Sequence, residues 1–219
     1  MAKQSFLTRD SVREVYDRNA RFYDFAVWGY YLVGMRIGKW RRMVVEALQL
    51  QPGDTVVEVG CGTGLNFDLL HNAVGPNGKI IGIDISEGML ERARAMVRDR
   101  GWQNVELVCG SVSDFEFPDG IGGIIATGVL TYEQEFDNVI ERGAKALSPG
   151  GKWAVLDYKM PSGWQRIFAP LFVAFGSSFG VSKDLMERHI WEAVEHHLKN
   201  TNMQELYGGF VYIVSGEAP

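Results

Sequence analysis

The sequence predicts an α/β fold in which a mostly parallel sheet carries helices on both faces. Short apolar runs of strand length alternate with stretches whose apolar residues recur at helical spacing. Turns rich in Gly and Pro separate them. Apolar residues make up 46% of 219, enough for a full core in one domain of ordinary size. In such alternating folds ligands bind beyond the carboxyl ends of the strands.

The elements follow in order. Residues Ser11 to about Leu48 read as helical and unusually aromatic, with Tyr16, Phe22, Tyr23, Phe25, Trp28, Tyr30, Tyr31 and Trp40. Gln51-Pro52-Gly53-Asp54 is a turn into the first strand, Val56 to Val59. The helix after Gly64 carries Leu65, Phe67, Leu69 and Leu70 and ends near Gly75-Pro76-Asn77-Gly78. Lys79 to Ile83 is strand two. Ser86 is placed to cap a helix with Met89, Leu90, Ala93 and Val97 on one face, closed by Gly101. Val105 to Cys109 is strand three and Ile124 to Thr127 strand four. Phe136 to Leu147 has a helical period, stopped by Ser148-Pro149-Gly150-Gly151, and Lys152 to Leu156 is strand five. A further helix lies within Ser182 to Lys199. Two strand-like pieces between Gln204 and Ser215 are interrupted by Gly208-Gly209. The whole chain, 1–219, reads as one domain, with 1–48 as a helical cover over the site.

The net charge of −5 argues against nonspecific nucleic-acid binding. Arg36, Lys39, Arg41 and Arg42 form the one dense basic cluster. Two cysteines, Cys61 and Cys109, are too few for a disulfide scaffold or a Cys-only zinc site, and no His, Asp and Cys cluster suggests a metal. They read as reduced thiols of a cytoplasmic protein. The N-terminus lacks the continuous apolar core of a secretory signal. The apolar stretch Ile167 to Val181 is broken by Pro170, Gly176, Ser177 and Ser178, and falls short of the roughly 20 residues a span needs.

The chemistry concentrates in Val56-Val57-Glu58-Val59-Gly60-Cys61-Gly62-Thr63-Gly64 and Ile80-Ile81-Gly82-Ile83-Asp84. A buried strand ends in an acid and a glycine loop, and the next strand ends in a second acid. Glycines let backbone approach a ligand, and a carboxylate at the next strand's tip accepts bonds from ribose hydroxyls. This is the layout of a site for a nucleoside-bearing cofactor. A nicotinamide dinucleotide is the competing occupant, but its pyrophosphate belongs at a helix N-terminus, where Glu58 is a poor neighbour.

These residues resemble the class I S-adenosylmethionine-dependent methyltransferases. Val56–Gly64 is similar to their first motif, Gly82-Ile83-Asp84-Ile85-Ser86 to their second, Val105–Phe117 to their third region, and Leu147–Lys152 to the turn before strand five. Val12-Arg13-Glu14-Val15-Tyr16-Asp17 and Phe22-Tyr23-Asp24 resemble the opening of the ubiquinone/menaquinone-biosynthesis methyltransferases and bacterial phospholipid N-methyltransferases. The likeness implies a Rossmann-like sheet with a C-terminal antiparallel strand. It also implies S-adenosyl-L-methionine as cofactor, with S-adenosyl-L-homocysteine as product. Gly60, Gly62 and Gly64 would lie against the methionine part, with Cys61 and Asn66 in the same loop. Glu58 would help to orient the ammonium, directly or through water, Asp84 would accept from both ribose hydroxyls, and Ile85 and Met89 would flank the adenine. Tyr16, Gly110, Ser111, Val112 and Thr127 complete the implied cofactor set. Two departures stand out. Gly110-Ser111-Val112 replaces Gly-Asp-Ala, leaving the adenine contact to Ser111, Asp114 or water. Gly122-Gly123 replaces Phe-Asp before strand four and is expected to loosen the entry to that strand.

A sulfonium methyl is already electrophilic, so alignment and exclusion of water supply much of the rate and a base is optional. Tyr23, in the family position that closes over the cofactor, is either a ring against the sulfonium or a structural aromatic. Asp157 is a base or an ammonium anchor, or else a helix cap or loop hydrogen-bond partner; Tyr158 ends strand five beside it. Thr127 and Tyr132 follow strand four towards the same cavity. His71, His189, His196 and His197 read as solvated helix positions. The aromatic regions Tyr16–Tyr31 and Ile167–Phe179 frame an apolar groove, and with the basic cluster they suit an anionic membrane surface. The expected acceptor is small or amphipathic. A phospholipid amine such as phosphatidylethanolamine is slightly preferred over a prenylated quinol; a soluble small molecule or a non-catalytic cofactor-binding module are the alternatives.

Overall fold

The computed structural model describes residues 8–20, 29, 31–32, 34–177 and 180–219, with the side chain of Phe175 excepted. Tyr23, Phe22, Phe25, Trp28 and Tyr30 lie outside the described residues.

Seven strands form one sheet in the order β3-β2-β1-β4-β5-β7-β6. β1 (Thr55–Val59), β2 (Lys79–Asp84), β3 (Val105–Cys109), β4 (Ile121–Thr127) and β5 (Leu147–Tyr158) run parallel. β7 (Val211–Glu217) is antiparallel to β5 on one side and to β6 (Lys199–Leu206) on the other. Strand order reverses between β1 and β4, the switch point where open α/β sheets bind ligands.

The central strands read as continuous apolar runs because both their faces are covered. Val56, Ile80, Ile125 and Ala154 turn towards α2 (Ile37–Ala47), α3 (Phe67–Val74) and α4 (Glu87–Arg100), packing with Trp40, Val44, Phe67, Leu70 and Leu90. Val57, Ile81, Ile124, Trp153 and Val155 face the other way, towards Val139, Ile140 and Ala144 of α5 (Phe136–Ala146) and Ile190 and Val194 of α8 (Ile190–His197). The Ser86 hydroxyl accepts from the Met89 amide, capping α4, and Gly101 ends it in the left-handed conformation at φ +69°.

Several boundaries differ from the sequence expectation. The N-terminal helical region contains α1 (Arg9–Asn19) and α2, and Met35 and Arg36 immediately before α2 are not helical. β5 begins at Leu147, so the Ser148–Gly151 turn is a bulge where pairing jumps from Ile121↔Leu147 to Gly123↔Lys152. The helix expected within Ser182–Lys199 is split into α7 (Lys183–Met186) and α8, after the short α6 (Ala169–Gly176). The break coincides with Arg188, whose guanidinium turns away to the carbonyls of Thr131, Glu133 and Gln134. Gly122 and Gly123 do not form a loose entry. They lie inside β4, where a Cβ on Gly122 would sit 2.6 Å from the Asp54 carboxyl carbon and one on Gly123 2.7 Å from Leu50. The missing side chains make room for the turn before β1 to pack on the strand.

Candidate functional site

A pocket opens over the carboxyl ends of β1, β2, β3 and β4, and α1 supplies its outer wall. The glycine loop forms its floor. The Cys61 amide continues β1's bonding by donating to the Ile83 carbonyl (3.0 Å), and Gly60 and Gly62 take φ of +65° and +57°. Both glycines line the pocket. Gly64, at φ +87°, lies behind it against the Phe67 ring, and Cys61 is buried, its thiol pushed well up by desolvation and the nearby Asp84.

Asp84 ends β2 on the pocket wall. Its Oδ2 accepts from the Gly62 amide (2.8 Å) and its Oδ1 from the Ser86 amide (2.9 Å), so one side chain ties the glycine loop to the start of α4. Burial raises its pKa to about 6, against the pull of those two amides. Each carboxylate oxygen retains acceptor capacity for a ligand hydroxyl. Ile85 and Met89 line the pocket beside it. From α1, Asp17 Oδ1 accepts from the Ser86 hydroxyl and from the Gly88 amide (3.1 Å), docking that helix on the N-terminus of α4.

Glu58 and Asn66 form a buried polar pair one layer behind the wall. The Asn66 amide nitrogen donates to Glu58 Oε1 (2.6 Å) and to the Thr127 hydroxyl (3.3 Å), while Asn66 Oδ1 accepts from Arg41 (2.9 Å). Glu58 Oε2 is buried without a partner. Desolvation lifts the Glu58 pKa to about 8, opposed by Asn66 and by the Arg41 charge. A buried acceptor of this kind calls for a cationic donor.

The third and fourth strand ends complete the wall. Gly110, Ser111 and Val112 line it after β3, with the Ser111 hydroxyl accepting from the Ser113 amide (3.3 Å). Asp114 turns out to solvent and faces Arg9 at 3.5 Å. Thr127 at the end of β4 and Val129, Tyr132 and Glu133 after it line the next part. The Tyr132 ring meets Tyr16 edge-on at 6.1 Å and Tyr158 at 6.2 Å.

Asp157 and Tyr158 sit beneath this wall and do not line the pocket. Asp157 is 2% exposed, and its two oxygens accept from the Thr131 (3.2 Å) and Tyr158 (2.9 Å) amides. Burial raises it to about 7 and drives the Tyr158 phenol well up. The histidines lie elsewhere. His189 meets Glu192 (2.8 Å), His197 meets Asp137 (3.1 Å), and His71 stacks on Trp102.

Arg9, Val12 and Glu133 join the pocket without having been singled out by sequence. The signal for the first two was present: Arg9, Val12 and Tyr16 fall at i, i+3 and i+7, one face of α1.

The methyltransferase domain family matches residues 56–151. A demethylmenaquinone methyltransferase of Listeria welshimeri is 28% identical over 186 residues, covering 80% of this chain and 78% of that one. One from Symbiobacterium thermophilum is 33% identical over 153 residues, covering 68% and 60%. The solved S-adenosylmethionine-dependent methyltransferase from Aquifex aeolicus superposes with a TM-score of 0.62 at 21% identity, over 82% of this chain and 89% of that one. The matched domain, these relatives and the shared fold support a class I S-adenosylmethionine-dependent methyltransferase. The pocket of this methyltransferase fits that cofactor. The unpartnered Glu58 Oε2 suits its ammonium, the spare acceptor capacity of Asp84 suits its ribose hydroxyls, and Ile85, Met89 and Val112 offer an apolar slot for adenine.

Proposed function

We propose that this methyltransferase methylates the ring of a lipid-tailed quinol. The observation that carries the reading is the acceptor-side wall, where Arg9 and Glu133 lie 4.0 Å apart beside the Tyr16–Tyr132 aromatic edge. Bound S-adenosylmethionine supplies an electrophilic methyl on a sulfonium. The two tyrosines offer aromatic faces and edges to a flat ring. Arg9 places a permanent cation where an aryl oxide develops, and Glu133, mostly buried at its side chain, is a pocket-lining carboxylate beside it to take the ring proton. The names of the curated relatives support a quinol over the phospholipid amine preferred from sequence. The amine remains the second reading, because Glu133 among aromatic rings also suits an ammonium head.

In this reading α1 is part of the cover over the site, and the acceptor arrives from a membrane at the cytoplasmic face. Trp164, Ile167 and Leu171 are each at least 70% exposed around α6, and Leu32 is 76% exposed. Tyr207 bridges Phe172 of this apolar run to Trp40 of α2, whose Arg36, Lys39 and Arg42 side of the chain is exposed. An apolar rim beside cations matches the interface of an anionic bilayer. Among the described residues no helix is long and apolar enough to cross a membrane.

The test uses methyl-labelled S-adenosylmethionine with anionic vesicles carrying either a reduced prenyl naphthoquinone lacking its ring methyl or phosphatidylethanolamine. Label in the quinol as a ring C-methyl is the expected result. Label only in the phospholipid establishes the second reading, and label in neither overturns both.

A further inference from the structure

Arg41 belongs to the basic run of α2, yet it is the member that turns inward. Its Nη1 donates to Asn66 Oδ1 at 2.9 Å, and Asn66 is fully buried. That contact decides which way the Asn66 amide faces. With Oδ1 held by Arg41, the amide nitrogen must point at Glu58 and Thr127, and it does so at 2.6 and 3.3 Å. An amide N–H offered to a carboxyl favours the ionised form, whereas an amide carbonyl offered there favours the protonated form. Removing Arg41 frees Asn66 to rotate and accept a hydrogen bond from protonated Glu58.

We infer that Arg41 is a positioning residue for the cofactor's amino-acid end, acting through Asn66 to hold an amide N–H on Glu58 that favours its ionised form and leaves one carboxyl oxygen for the ammonium. The inference rests on the cofactor alone and is independent of the acceptor. Among the described residues, few groups face Glu58. Arg41 approaches from α2, Asn66 from the start of α3, Cys61 from the glycine loop and Asp84 from β2, and Thr127 of β4 shares the Asn66 donor. Arg41 is the cation among them, with Asp84 opposing it. The raised Glu58 pKa shows how much the desolvated carboxylate needs such support.

The experiment compares two ligands. S-adenosylhomocysteine carries the ammonium; 5′-methylthioadenosine shares the adenosine and sulfur but lacks the amino-acid end. Affinities of both are measured by calorimetry from pH 6 to 9 for the wild type, R41M, R41Q and R41K. In R41M the pH midpoint of S-adenosylhomocysteine affinity rises, weakening binding at pH 7 by about tenfold for each unit of rise. Methylthioadenosine affinity stays within about twofold, which also shows that the pocket is folded. R41Q applies the same test if R41M does not fold, and R41K, keeping a cation and a donor, returns the midpoint towards that of the wild type. Parallel loss of both ligands, or an unmoved midpoint in the charge-removing variants, overturns the assignment.

Discussion

Gly60→Ala tests whether the glycine loop is shaped by close approach as well as by backbone freedom. At φ +65° an alanine already pays about 1–2 kcal/mol for the left-handed region. Its Cβ would also lie 2.5, 2.7 and 2.9 Å from Cγ2, Cβ and Cγ1 of Val129, all inside contact distance. Val129 cannot relieve this by swinging one atom, because the Cβ is among the atoms struck. The β4 loop must move, at an overpacking cost of about 1–3 kcal/mol. Together the loss is about 2–5 kcal/mol. Gly62→Ala is the control: its φ is +57°, but nothing lies within 4 Å of the added carbon, so only the conformational cost applies. Chemical denaturation of the cofactor-free protein measures both. Gly60→Ala should be the less stable by about 1–3 kcal/mol, and because Gly60 and Val129 both line the pocket it should also lose S-adenosylhomocysteine affinity. Equal stability of the two variants would refute the steric argument.

Two further outcomes follow from the buried acids. Glu58, Asp84 and Asp157 have folded pKa values of about 8, 6 and 7, above the ordinary 4.5, 3.8 and 3.8. The folded state therefore binds more protons between about pH 4 and pH 8, and the stability this contributes is complete below the ordinary values and lost as pH rises through the folded ones. Thermal denaturation of the cofactor-free protein should give a higher melting temperature at pH 5 than at pH 8, each group adding up to about 1.4 kcal/mol per pH unit in its window; a flat or rising profile would contradict the burial of these acids. In Asp84→Asn the single amide carbonyl cannot serve both the Gly62 and Ser86 amides and a ribose, so S-adenosylhomocysteine affinity should fall by about 1–3 kcal/mol while the stability profile flattens near pH 6. Unchanged affinity in a calorimetric titration would remove Asp84 from the cofactor site.

What could be seen in the sequence was local. The β1 and β2 motifs carry their chemistry within a few residues, because a strand tip, a glycine turn and an N-cap are specified by spacing alone. Ser86 was recognisable as a cap for the same reason. Gly122-Gly123 was misread because its cause lies in other segments, namely the Asp54 and Leu50 side chains that fill the space. Arg41 looked like one member of a basic surface cluster until the fold brought Asn66 beneath it. Glu133 follows a strand that sequence could place, but its meeting with Arg9 needs the docking of α1, which Asp17 provides across 69 residues through Ser86.

The larger omission concerns how the pocket loops are held. Loops after β3 and β4 leave backbone carbonyls without strand or helix partners, and such groups must still be satisfied. Two arginines do this from behind. Arg142 of α5 donates to the carbonyls of Phe115 (2.7 Å), Val112 (3.0 Å) and Ser113 (2.8 Å). Arg188 donates to those of Thr131, Glu133 and Gln134, while Asp157 takes the Thr131 amide and the Thr131 hydroxyl donates to the Leu185 carbonyl. A guanidinium suits this role because its five donors lie in a fixed plane and reach several carbonyls at once. A backbone carbonyl carries no residue identity, so no motif announces such a clamp. Asp157 illustrates the consequence. At a strand tip it reads as a base, an ammonium anchor or a cap; in the fold its oxygens accept from two backbone amides and the side chain is buried away from the pocket lining. Its place makes it part of what fixes Tyr132 and Glu133, the side chains that the clamped loop presents to the pocket.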